Sequence, residues 1–93
     1  MEMFVTDLAK EYIKSRTENV TIDLIEQISL SGWGFKPSVK VHHIELKKPI
    51  EETRFSNITI DEVDYYISKN IQCNRMTLTL SKTWFKSLEI FIK

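Results

Sequence analysis

Cys73, His42 and His43 are the only thiol and the only imidazoles in the chain, and the chemistry they offer together is metal ligation. Adjacent strand residues point to opposite faces, so both histidines reach one ion only where the backbone bulges. The plainer reading is two solvent-facing imidazoles and a small, half-buried thiol. Asp61, Glu62 and Asp64 offer hard carboxylate oxygens for a cation or an acid–base pair, but turns are commonly acidic and strand alternation splays such side chains, so they read as a solvated turn. The remaining candidate is Ser31-Gly32-Trp33-Gly34-Phe35, which holds the chain's only two glycines. Its chemistry is contact: large rings beside conformationally free glycines anchor protein interfaces. The alternative is that Trp33 and Phe35 cap the hydrophobic core.

Catalysis finds no footing in these residue types. There is no nucleophile with a base and an orienting group, and Gly32-Trp33-Gly34 lacks the further glycine and helix start of a dinucleotide site. The expectation is a protein that is not an enzyme. Thirteen basic and thirteen acidic residues cancel, and Lys36, Lys40, Lys47 and Lys48 give way at once to Glu51 and Glu52. With no field to draw a polyanion, nucleic acid is excluded as a partner. A lone cysteine predicts a reducing compartment, hence a cytoplasmic protein. The opening Met1 to Asp7 carries acids, and no apolar run is long enough for a membrane span, so neither signal peptide nor membrane is expected.

The candidates must be carried by elements, and apolar spacing supplies them. Leu8, Ala9, Tyr12 and Ile13 share a helical face opposite Lys10, Glu11 and Lys14, which predicts one helix from Asp7 to Arg16 with Thr6 or Asp7 as N-cap. After a connector, Ser15 to Asn19, the period becomes two. Strand-like runs follow at Val20 to Leu30, Val39 to Leu46, Ile58 to Ile60, Val63 to Ile67, Met76 to Leu80 and Leu88 to Ile92. Between Val41 and Ile44 the alternation slips by one residue, the mark of a bulge or of burial on both faces. Pro49 ends that run, Asp61-Glu62 turns a hairpin where a glycine would sit more comfortably than Glu62, and Ser81 to Lys86 is a loop. Alternation also places one of Tyr65 and Tyr66 outward, turns Phe91 away from Ile90 and Ile92, and makes the last strand a candidate sheet edge. The fold class is strand-dominated α+β in one domain, residues 1–93: an N-terminal helix followed by about six mostly antiparallel strands.

One succession runs through Val5-Thr6-Asp7-Leu8-Ala9-Lys10, Thr21-Ile22-Asp23-Leu24, Ser31-Gly32-Trp33-Gly34, Pro37-Ser38-Val39, Ile60 to Lys69, Leu78 to Lys82 and Phe85 to Leu88. It resembles the HesB-like family of small A-type iron–sulfur carriers, and most closely the short branch with a Cys-Cys or selenocysteine motif. The resemblance implies a HesB-like sandwich. Where that family has its first cluster cysteine, after a Ser-Gly pair, this chain has Trp33. The family's later Cys-x-Cys pair would fall beyond Phe91, next to the last residue, Lys93. The expectation is a degenerate member without cluster ligands or cofactor, working through a protein partner or as a homodimer by way of Gly32, Trp33, Gly34 and Phe35. The alternative is an iron or iron–sulfur carrier, with Cys73 and a histidine, or thiols of two subunits, holding the metal.

Overall fold

Thr6 starts the helix. Its hydroxyl accepts the backbone N–H of Ala9, one of the donors a helix start leaves without a partner, and α1 runs over Asp7–Lys14. Ala9 and Ile13, four residues apart, are fully buried and Tyr12 is half-buried beside them, whereas Leu8 is exposed. The helix ends short of Arg16. Ser15 forms the C-cap, its Oγ donates to the Tyr12 carbonyl, and the Arg16 guanidinium lies 3.7 Å above the Tyr12 ring.

The computed structural model describes residues 2–27, 30–31, 34–35, 39–81 and 87–92. In chain order its strands are β1 (Glu2–Val5), β2 (Asn19–Gln27), β3 (Leu30–Ser31), β4 (Gly34–Phe35), β5 (Val39–Glu45), β6 (Phe55–Ile60), β7 (Val63–Ser68), β8 (Arg75–Leu80) and β9 (Leu88–Ile92). Seven of them build two mixed sheets, ordered β1-β8-β9 and β5-β2-β7-β6, and the two-residue strands β3 and β4 pair with each other. The α+β class holds. Among the seven strands of the two larger sheets the one beyond the anticipated six is β1, β4 is a further short strand in the glycine segment, and the two parallel pairings are β1 with β8 and β2 with β7. Val20, Ile22, Val63, Tyr65 and Ile67 from the larger sheet meet Val5, Met76 and Leu78 from the smaller one, and Ala9 and Ile13 of α1 complete a single core.

Asp61 and Glu62 form the β6–β7 turn with φ of 48° and 69°. Positive φ at both central residues is what a tight hairpin turn requires, and aspartate tolerates it better than glutamate. Asp61 is also held by Lys10 Nζ at 2.8 Å, which tethers the turn to α1, keeps the Asp61 carboxyl below its usual pKa and raises that of Lys10. Glycine at position 62 removes the strain and leaves this tether in place. Glu62→Gly should therefore stabilise the domain by about 1 kcal/mol, read as a melting temperature about 4–8 °C higher in a thermal scan.

Tyr65 and Tyr66 are both buried, which corrects the expectation that one of them faces water. Tyr65 enters the core. Tyr66 points to the other face of the larger sheet, but residues 46–54 cross that face on their way from edge strand β5 to the opposite edge, β6. Thr21, buried on the same face, ties the crossing down: its Oγ1 donates to the Lys47 carbonyl at 2.6 Å, and at the far end Lys69 N donates to the Arg54 carbonyl at 3.1 Å. Thr21→Val keeps the shape and removes the donor, so it should cost about 1 kcal/mol in urea unfolding and speed hydrogen exchange in residues 47–54.

Candidate functional site

Strand β7 pairs with β2 only from Asn19 to Ile22, whereas β5 accompanies β2 from Thr21 to Gln27. From Asp23, opposite His43, to Gln27, opposite Val39, β2 and β5 therefore pair only with each other among the described residues. These five pairs form a two-stranded arm about 17 Å long. It agrees with the molecule's longest dimension of 48 Å and with a radius of gyration of 14.5 Å, against about 12 Å for a compact domain of this length. On the arm Ile25 is 40% exposed, and Leu24 and Val41 are half-buried. An isolated two-stranded ribbon is marginally stable in water, and along these five pairs this one has no third strand in its ladder among the described residues.

Past the arm, β3 and β4 pair antiparallel, Leu30 with Phe35 and Ser31 with Gly34, in a register offset by one residue from that of β2 and β5. Of the anticipated contact residues, Gly34 and Phe35 thus belong to β4, and the pairing brackets positions 32 and 33. Gly32 and Trp33 lie outside the described residues, as does most of the loop expected from Ser81 to Lys86.

The β2–β5 ladder runs without a break from Thr21 to Gln27, so no bulge turns His42 and His43 toward one ion. The slip in alternation reflects burial on both faces, with Val41 half-buried on one and Ile44 on the other. His43 faces the crossing segment. Its Nε2 donates to Glu45 Oε1 at 3.0 Å, while Lys47 Nζ stands 3.3 Å from Oε2, and these two partners hold the Glu45 carboxyl below its ordinary pKa. His42 faces the opposite way, into a groove of about 480 Å³ between β5 and β9 that Ile44, Leu88 and Ile90 also line. Cys73 sits apart from both, half-buried in the β7–β8 connection next to the core. Among the described residues no three or more His, Cys, Asp or Glu side chains are grouped to hold a metal ion.

The acidic trio is also dispersed. Asp61 is engaged by Lys10, Asp64 accepts the Thr59 hydroxyl at 2.6 Å, and Glu62 is exposed. A cleft that sequence reasoning missed lies between the sheet and the crossing segment, about 320 Å³ in volume. Asp23, His43 and Glu45 form its floor, and Pro49, Ile50 and Phe55 its apolar wall, with Ile50 96% exposed. The signal for it was the i, i+2, i+4 series His43, Glu45, Lys47, which puts three ionisable groups on one strand face.

Iron–sulfur clusters are held by thiolates, commonly four. Cys73 is the chain's one cysteine, the two histidines face opposite sides of a strand, and the indole at position 33 offers only an N–H donor. These residues do not fit a cluster. Against known proteins, a family model described as the CC/Se motif containing family matches residues 1–92. No curated protein and no solved structure matches the chain.

Proposed function

The chain belongs to the CC/Se motif containing family, and from that premise we propose that it is a non-catalytic protein-interaction module with a HesB-like sandwich fold. Its contact element is the arm and the tip beyond it, Gly32, Trp33, Gly34 and Phe35. The observation that carries this reading is the arm itself, a ribbon of five strand pairs extending past the sheet without a third strand among the described residues. An element of that kind gains its missing neighbours in a complex. The family is described by a Cys-Cys or selenocysteine motif, and this chain has one cysteine, Cys73, so thiol and cluster chemistry form no part of the proposal.

The partner is another protein or a second copy of the chain, in the cytoplasm, and neither nucleic acid nor membrane takes part. Among the described residues no helix is long and apolar enough to cross a membrane. Sedimentation equilibrium of the wild type beside Trp33→Ala, joined to photo-crosslinking from position 35, tests the reading. It is supported by an association or a discrete crosslinked species that the wild type shows and Trp33→Ala loses. It is overturned if the two proteins behave alike in both measurements, or if anaerobically expressed protein carries stoichiometric iron that Cys73→Ser removes, which is the carrier outcome.

A further inference from the structure

Leu24 has an unusual partner for a residue in mid-strand. Its backbone N–H is taken at 2.7 Å by the carboxylate of its own neighbour, Asp23. The reason lies in the sheet. β7 follows β2 in parallel to Ile22, opposite Ile67, and then turns away at Lys69 and Asn70. From Asp23 onward the edge of β2 that β7 had occupied has no strand beside it among the described residues. N–H groups of alternate residues point to the same edge, so those of Leu24 and Glu26 share a direction. Beside them is a notch of about 360 Å³ lined by Leu24, Glu26, Lys40, Lys69, Asn70 and Gln72.

We propose that this vacated edge of β2 takes a short, extended, acidic peptide segment of another protein, which adds as a strand in line with β7 and replaces the Asp23 carboxylate on Leu24 N–H. A run of free strand backbone is matched by another backbone, since regularly spaced donors and acceptors on both sides are what a ladder needs. Once the Asp23 carboxylate is displaced to its own face of β2, opposite that of Leu24 and Glu26, Lys40 and Lys69 against Glu26 leave the notch lining one positive charge in excess, which favours a carboxylate on the incoming strand. The edge spans about 17 Å, and a stable dimer buries about 800 Å² on each partner, so the site suits a short segment better than a second globular copy. This contact rests on the proposed reading of the arm as an interaction element and deepens it, placing the partner strand on the β2 edge at Leu24 and Glu26 rather than on the tip residues 32–35.

The probe is the blocked pentapeptide Thr-Val-Glu-Val-Thr, titrated to millimolar concentration into the full, ¹⁵N-labelled chain. Its central-lysine analogue and an analogue N-methylated at both valines serve as comparisons. The Leu24 and Glu26 amide resonances should shift and saturate, with hydrogen exchange at both slowing about tenfold. The lysine analogue should bind about threefold more weakly, and the N-methylated one should have no effect. Asp23→Ala removes the competing acceptor and should tighten binding about fivefold. Should that variant lose its fold, the wild-type comparison with the N-methylated peptide decides alone. Trp33→Ala should leave the response unchanged, which keeps this proposal separable from the tip reading. The proposal fails if neither amide responds or if the N-methylated peptide acts equally well. It fails too if both amides are protected without peptide while the molecular mass doubles, since a second copy then covers the edge.

Discussion

Leu78→Ala should remove about 3 kcal/mol of folding free energy. Leu78 is fully buried at the centre of β8, the middle strand of its sheet, with Val5 of β1 paired on one side and Ile90 of β9 on the other. The same strand packs against α1, so three neighbouring elements surround one side chain, and none can close the resulting cavity without moving the others. The backbone is anchored there as well, because Thr6 N donates to the Leu78 carbonyl at 3.0 Å and holds the helix start in place. That anchor survives the substitution and limits collapse, which places the expected cost well inside the range for buried leucines. A domain of this size has about 5–14 kcal/mol in all, so the variant should melt about 12–24 °C lower. Urea unfolding followed by circular dichroism measures the loss directly. Phe91→Ala, on the outer face of the same sheet and 58% exposed, is the matched control and should lie near zero.

Trp33→Ala is the second large effect, and it bears on association instead of folding. On the proposed reading the indole is the largest apolar group of the contact element at the end of the arm. Aromatic anchors at interface centres commonly contribute 2 kcal/mol or more, so the complex should weaken by about 30-fold. The arm's own strands do not depend on position 33: β3 pairs with β4 through Leu30, Ser31, Gly34 and Phe35, and β2 pairs with β5 below them. Unfolding free energy should therefore stay within about 0.5 kcal/mol of the wild type. That combination, a large change in binding with almost none in stability, separates an interface residue from a core cap. A Trp33→Ala protein that binds normally and unfolds easily assigns the indole to the core.

What could be read from the sequence followed locality. The helix, its Thr6 cap, the Asp61-Glu62 hairpin and the alternating strands all rest on spacings of a few residues, and the structure contains each of them. β1 escaped because Met3, Phe4 and Val5 are apolar on both strand faces, with Phe4 exposed and Val5 buried, so no alternation marks it. Its partner is also 73 residues away. Tyr66 escaped for a different reason: alternation gives the face a residue takes but not what crosses that face, and the crossing depends on β5 and β6 lying at opposite edges. The arm was equally hidden. It exists because β7 turns away at Lys69, and nothing within β2 records where its neighbour stops. The reading that brings His42 and His43 to one metal ion depended on a bulge, and local sequence cannot distinguish a bulge from burial on both faces.

The parallel pairing of β1 with β8 also fixes when the protein can fold. The ribosome makes Glu2–Val5 long before Arg75–Leu80, and at about 10 residues per second the first strand waits about seven seconds for its neighbour. Throughout that interval Ala9 and Ile13 of α1 lack the Met76 and Leu78 surface that covers them in the finished core. A nascent chain therefore carries an incompletely covered apolar helix face until β8 has been made, and a product cut before β8 lacks the Met76 and Leu78 side of that core. Acquisition of the fold waits on the synthesis of β8.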